Sequence, residues 1–255
     1  MTLARVMVAP NGAYKTTRDH PAIPVTIAQT IATAQACYAV GAGALHAHIR
    51  RPDQVHWLDV GAYQELLQGM QEAVPQMDVQ ITTEAGGIYD AAFQRQLIAD
   101  LQAPFISLSY AEMLRDTDDN DVTAFYRELL QSNMRVQHIF YSQQELANFL
   151  LRILPLEPDW QRHYALFVLG RYSHNQQSRI SDLNPYLTQL QQTPAAQSMQ
   201  WSVCAFGDSQ IDCLLAAQGL GGCMRIGFEN ALVGVDGQRV DSNQQQLAQL
   251  IALLN

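Results

Sequence analysis

The run "GALHAHIRRP", residues 43–52, sets His46 and His48 two positions apart in an otherwise apolar stretch. On a strand, side chains at i and i+2 share a face, so both imidazoles project together. Such a pair can begin a metal site, or can sit as two hydrogen-bonded histidines in a polar cleft. Far along the chain, "GGCMRIGFEN" (221–230) puts Arg225, Gly227 and Glu229 on one face by the same alternation. Gly227 would leave a gap between guanidinium and carboxylate that could hold a ligand. Two histidines, one carboxylate and an open position suit a catalytic Zn2+, and iron(II) or Mn2+ would accept the same set. The competing reading is an Arg225–Glu229 ion pair beside two unrelated histidines.

Other reactive side chains fall at the ends of apolar runs. "QITTEAGG" (80–87) carries Gln80, Thr82 and Glu84 on one face, and Glu84 could serve as base, ligand or orienting group. "PFISLS" (104–109) adds Ser107 and Ser109 as candidate substrate contacts, and Glu112 follows in "AEMLRDTDDND" (111–121), read as a solvated acidic face. His138 and Tyr141 read as structural residues. In "LGRYSHNQQSR" (169–179), Arg171, His174 and Arg179 could meet an anionic substrate or a phosphate, with Arg171 the strongest of the three. No GxSxG elbow, P-loop or HExxH is present. Cys204 in "SVCAFG" reads as a buried strand thiol rather than a nucleophile.

The elements that must position these residues follow one pattern. Strand-like runs occur at 4–10, 44–49, 78–83, 104–109, 134–141, 164–170, 200–206 and 223–228. Helical stretches named from their periodicity cover 24–40, 124–131, 142–154, 181–192, 208–219 and 242–254. About eight strand–helix units in some 250 residues match a (β/α)8 TIM barrel, where chemistry gathers at the C-terminal strand ends. With no GxGxxG after the first strand and no interior linker, the expectation is a single barrel domain over residues 1–255. The formal net charge of -9 argues against a nucleic-acid partner, and no apolar run is long enough for a membrane span. Four cysteines without a CxxC pair, and an N-terminus that enters a strand directly, read as a cytoplasmic protein with free thiols.

The ordered set of motifs resembles the β-keto acid cleavage enzymes, the 3-keto-5-aminohexanoate cleavage enzyme family. It runs through "APNGAYKTTRDHPAIPVT" (9–26), "GALHAHIR" (43–50), "ITTEAGG" (81–87), "VQHIFY" (136–141), "FVLGRY" (167–172), "GGCMRIGFEN" (221–230) and "SN" (242–243). The resemblance implies a homo-oligomeric (β/α)8 barrel with a divalent metal, usually zinc, on His46, His48 and Glu229. It implies acetyl-CoA as co-substrate and a β-keto acid as substrate, with acetoacetate and a new acyl-CoA as products. Three positions depart from the family pattern. Asn230 stands where characterised members carry an acid–base aspartate, Tyr14 or Lys15 where they carry a glutamate, and Cys223 where many carry a histidine. Arg225 thereby lacks the partner that glutamate supplies, and Glu84 becomes the candidate for the missing base. Two alternatives stay open: a CoA-independent lyase or hydrolase on a keto acid, and a non-catalytic metal or metabolite binder.

Overall fold

The computed structural model describes residues 2–156 and 161–254. Eight parallel strands close into a barrel: β1 (Val6–Val8), β2 (Ala44–Ala47), β5 (Asp78–Thr82), β6 (Phe105–Ser109), β7 (Arg135–Phe140), β8 (His163–Leu169), β9 (Trp201–Ala205) and β10 (Cys223–Ile226). Between the second and third of these lies a small antiparallel hairpin, β3 (Ile49–Arg50) and β4 (His56–Trp57), pairing Ile49 with Trp57 and Arg50 with His56. The barrel closes where Met7 pairs with both Arg225 and Ala44. The strands are almost wholly buried, as parallel strands covered on both faces must be, which is why they read as unbroken apolar runs.

Helices α1 (Ile27–Ala39), α2 (Val60–Ala73), α3 (Ala91–Leu101), α4 (Tyr110–Leu114), α5 (Asp119–Gln131), α6 (Gln143–Arg152), α7 (Asn184–Gln192), α8 (Gln210–Gly219) and α9 (Asn243–Ala252) fill the connections. Their starts are legible in residue chemistry. Thr26 and Gln29 form a capping box on α1, and Asp59, Asp90, Asp118, Ser142 and Ser242 each accept a backbone N–H at a helix start. The stretch 181–192 divides at Pro185, with a 3-10 turn (Ile180–Leu183) ahead of α7. The acidic run 111–121 is not one solvated face. It spans α4 and the start of α5, and Glu112 turns inward.

The barrel interior is layered. Met7, Ala44, Phe105 and Tyr164, with Leu3, plug the N-terminal end. One layer up, Gln80, Gln137 and Ser202 are buried polar groups, and above them lie Val168, Cys204 and Phe206. The plug seals the floor, so the site can open only at the C-terminal rim. Phe105→Ala would cost about 3–5 kcal/mol through the cavity it leaves.

Candidate active site

His46 and His48, each 1% exposed, follow one another up β2 and its end. Their Nε2 atoms face each other at 3.1 Å. The tautomer of His46 is set from below. Its Nδ1–H donates to Gln80 Oε1 (2.8 Å), Gln80 Nε2 donates to Gln137 Oε1 (3.0 Å), and Gln137 Nε2 donates to Ser202 Oγ (2.8 Å). That chain crosses the barrel and leaves the His46 Nε2 lone pair pointing up, an outer shell of the kind metal-ligating histidines use. Burial first, and Arg225 next, push the His46 imidazole down to about 4. Burial and the neighbouring His46 likewise lower His48 well below its usual range. Both rings are therefore neutral bases at pH 7, the state a metal needs.

Glu229 comes over from the end of β10. Its Oε1 accepts from Arg225 Nη2 (2.9 Å), while Oε2 has no hydrogen-bond partner among the described residues and lies 3.6 Å from His46 Nε2 and 3.7 Å from His48 Nε2. Burial alone would raise this carboxyl, but Arg225, His46 and Lys15 outweigh it and hold it below the carboxylate range. Two glycines make room. A Cβ on Gly12 (φ +67°) would meet Glu229 Cγ at 2.5 Å, and one on Gly227 (φ +148°) would meet the Ala9 carbonyl oxygen at 2.1 Å. The space at Gly227 is thus taken by the backbone of Ala9 just past β1, not left for a ligand, and Arg225 and Glu229 touch directly.

His46 Nε2, His48 Nε2 and Glu229 Oε2 converge on one point, all such ligand atoms lying within 4.8 Å of one another. Two nitrogens about 2.0–2.1 Å from a tetrahedral zinc would stand a little over 3 Å apart, so the preformed spacing fits a divalent ion. Of the described residues, this is the one group of three His, Cys, Asp or Glu side chains that could hold a metal.

Glu84 stands beside it, Oε2 3.7 Å from His48 Nε2. Its segment is clamped on every side. Thr82 Oγ1 accepts the Glu84 N–H (3.0 Å), and His56 Nε2 donates to the Glu84 carbonyl (2.8 Å). Glu112 accepts the Ala85 N–H (2.9 Å), and Gln94 bonds both Glu112 and the Thr83 carbonyl. Burial, Glu229 and Glu112 raise the Glu84 carboxyl to about 8.

A cavity of about 200 Å³ opens over these groups, lined by Lys15, Glu84, Tyr141, Arg171, Arg225 and Glu229 among others. Arg50 shapes one wall, donating to the carbonyls of Gly12, Ala13 and Lys15 and so fixing the loop that presents Tyr14 and Lys15. Lys15 Nζ caps the Glu229 carbonyl at 2.5 Å. Of the candidate substrate contacts, Arg171 lines this cavity and Thr82, Ser107 and Ser109 do not. Thr82 holds Glu84, Ser109 caps α4, and Ser107 is fully buried. Asn230 is also buried, next to Cys204 and off the cavity wall. His174 and Arg179 are exposed. The sequence aligns Gln80 with Thr82 and Glu84 without showing its role, and it leaves no signal in the spacing for Gln137, His56 or the clamping role of Glu112.

A sequence model of the beta-keto acid cleavage enzymes matches residues 4–255. The chain belongs to that family. It is 21% identical over 249 residues to a 3-keto-5-aminohexanoate cleavage enzyme from Fusobacterium nucleatum, covering 95% of this chain and 88% of that protein. It is 28% identical over 104 residues to a 3-oxoadipate:acetyl-CoA acetyltransferase from Cupriavidus necator, a match spanning 41% of this chain and only 36% of that enzyme. Among solved structures, ObcA bound to oxaloacetate superposes with a TM-score of 0.72 at 14% identity, over 92% of this chain and 64% of ObcA. A type I 3-dehydroquinate dehydratase from Clostridium difficile gives 0.62 at 9% identity, over 100% and 93%. These structural likenesses share the barrel with this chain. No helix of the described residues is long and apolar enough to cross a membrane.

Proposed function

We propose that this chain is a metal-dependent acyltransferase that exchanges an acetyl group from acetyl-CoA against the acyl group of a β-keto acid. The reaction balances as R–CO–CH2–COO− plus acetyl-CoA giving R–CO–CoA plus acetoacetate. Family membership supports this reading, and the observation that carries it is the convergence of His46, His48 and Glu229 beside a carboxyl poised near neutrality. Zinc on those three ligands would supply the Lewis acidity that lowers the cost of enolate charge.

The rest falls to side chains of this chain. Glu84 takes the proton from the carbon between ketone and carboxylate. A base near the working pH suits that task, because it is both available and able to return the proton. The carbanion attacks the acetyl thioester, the CoA thiolate moves to the former ketone carbon, and the carbon–carbon bond there breaks. Glu84 then returns its proton to the departing acetoacetate carbanion. Arg225 keeps Glu229 ionised and oriented, and the Gln80–Gln137–Ser202 chain keeps His46 in one tautomer. Asn230 cannot accept a proton near pH 7, so Glu84 carries the acid–base work.

The test is a panel of β-keto acids with the zinc-loaded protein, with and without acetyl-CoA, following acetoacetate and acyl-CoA together. Equal amounts of both, formed only with acetyl-CoA, are expected. Consumption of a keto acid without acetyl-CoA would instead mark a lyase or hydrolase. No consumption would mark a binder. Glu84→Gln should keep the metal and lose roughly 10²–10⁴-fold in kcat. Unchanged turnover in that variant would remove Glu84 from the mechanism.

A further inference from the structure

One cation on the cavity wall, Arg171, has no ion-pair partner among the described residues. Arg171 follows the end of β8, and its guanidinium carbon sits 5.2 Å from the Tyr14 ring, 5.2 Å from Phe206 and 5.9 Å from Tyr172. Ring faces hold a guanidinium in place, but they leave its five N–H donors largely unspent. None of the ion pairs among the described residues includes Arg171, and no side-chain hydrogen bond from it joins a described residue. The other two cations of the cavity are tied to Glu229. Arg225 Nη2 donates to Glu229 and Cys204, its buried Nε and Nη1 having no hydrogen-bond partner among the described residues, and Lys15 donates to the Glu229 carbonyl. Lys15, Arg171 and Arg225 also outnumber Glu84 and Glu229 on the wall, so the cavity is cationic before any metal enters.

We propose that the β-keto acid taken here carries a second carboxylate at its far end, and that Arg171 receives it. This deepens the acyltransferase reading above and rests on it. A planar guanidinium with its N–H fork free and its face already stacked is built for bidentate carboxylate binding. Size decides between the two anions that could bring an oxyanion here. The cavity of about 200 Å³ is smaller than the roughly 300–1,000 Å³ of pockets for drug-sized ligands, so it takes a short acid rather than the phosphate end of CoA. The substrate class is therefore a short β-keto diacid, its first carboxylate and ketone at His46, His48 and Glu229 and its second at Arg171.

The experiment is calorimetric titration of the zinc-loaded full chain with 3-oxoadipate and with 3-oxohexanoate, its six-carbon partner ending in methyl. Acetyl-CoA is titrated in parallel, and Arg171→Met and Arg171→Lys are compared with the parent. The parent should bind the diacid at least about tenfold more tightly, the gain of one charge-assisted contact. Arg171→Met should abolish that preference while retaining its zinc, and Arg171→Lys should restore part of it. Equal binding of the two acids by the parent would overturn the proposal, as would binding of neither. So would a loss in Arg171→Met that falls on acetyl-CoA and spares the diacid, since the oxyanion would then be a CoA phosphate. A diacid preference that vanishes in Arg171→Met, in a protein that never consumes acetyl-CoA, would uphold the receptor and reject the acyltransferase.

Discussion

Two histidine pairs in this barrel have ring nitrogens 3.1 Å apart, and they do opposite things. In the first, His46 and His48 approach Nε2 to Nε2, and a free carboxylate oxygen of Glu229 completes the triangle. In the second, His138 on β7 and His163 on β8 approach Nε2 to Nδ1, stacked 5.3 Å apart. The second pair sits among aromatic rings, His138 lying 4.6 Å from Phe149 and 5.9 Å from Tyr126, and forms no metal-holding group with a carboxylate among the described residues. An Nε2 facing an Nδ1 across stacked rings is an ordinary donor–acceptor bond in a core. Two Nε2 atoms facing one another, one stripped of its proton by Gln80, converge on a position that a metal could share with Glu229. Pair spacing alone does not separate structure from chemistry. What the second nitrogen of His46 is bonded to, and whether a carboxylate oxygen is left over, does.

The contrast can be broken by substitution. His46→Ala and Glu229→Ala should abolish stoichiometric metal by elemental analysis, while His138→Ala should retain it. Metal surviving in the first two would dissolve the distinction. Next in size, Gln80→Leu should weaken metal affinity roughly 10–100-fold by freeing the His46 tautomer. Competition with a chromophoric chelator would read this directly, and an unchanged affinity would reduce the amide chain to packing. For the core pair, His138→Ala should cost about 2–4 kcal/mol in denaturant unfolding, through cavity and lost bond, without moving metal affinity.

The remaining effect is in pH. His46 and His56 are both pushed down to about 4 by burial, so the unfolded chain takes up protons below about 6.5 that the folded chain refuses. Stability of the metal-free protein should therefore fall from pH 6.5 towards 4, by up to about 1.4 kcal/mol per pH unit for each histidine. Glu84, raised to about 8, has the opposite sign. Its folded form keeps a proton that the unfolded chain has shed, so stability should also fall from pH 6.5 to 8, by roughly 2 kcal/mol at most. Glu84→Gln should flatten that upper limb and steepen the lower one, because between about 4.5 and 6.5 the proton held by Glu84 offsets one taken up by an unfolded histidine. An upper limb that persists in the variant would assign it to another group.

The barrel was legible because its strands are buried on both faces. Runs such as "ARVMVAP" and "FISLS" cannot alternate polar and apolar when both sides are dry. The α2 and α3 stretches lay outside the named helices, and the β3–β4 hairpin was invisible because two-residue strands carry no period. The His46–His48–Glu229 constellation was readable from alternation, since reactive types stood at strand ends. Glu112 was misread for a physical reason: it sits in a charge run whose other members face water, while the one inward carboxylate is set by a helix start at Ser109 that periodicity does not mark. Gln80 carried no legible role, and Gln137 none at all, because an amide is chemically quiet until the partner across the barrel is known.

Arg50 fastens the segment 12–15 through its carbonyl oxygens and not through any of its side chains. Every residue has a carbonyl, so beyond Gly12, which must stay bare to clear Glu229, the path of that segment is indifferent to which side chains it bears. Tyr14 and Lys15 are in that sense interchangeable fittings on a fixed rail. An evolving lineage could replace either, and with it the charge shown to an incoming acid, without refolding the rim of the barrel.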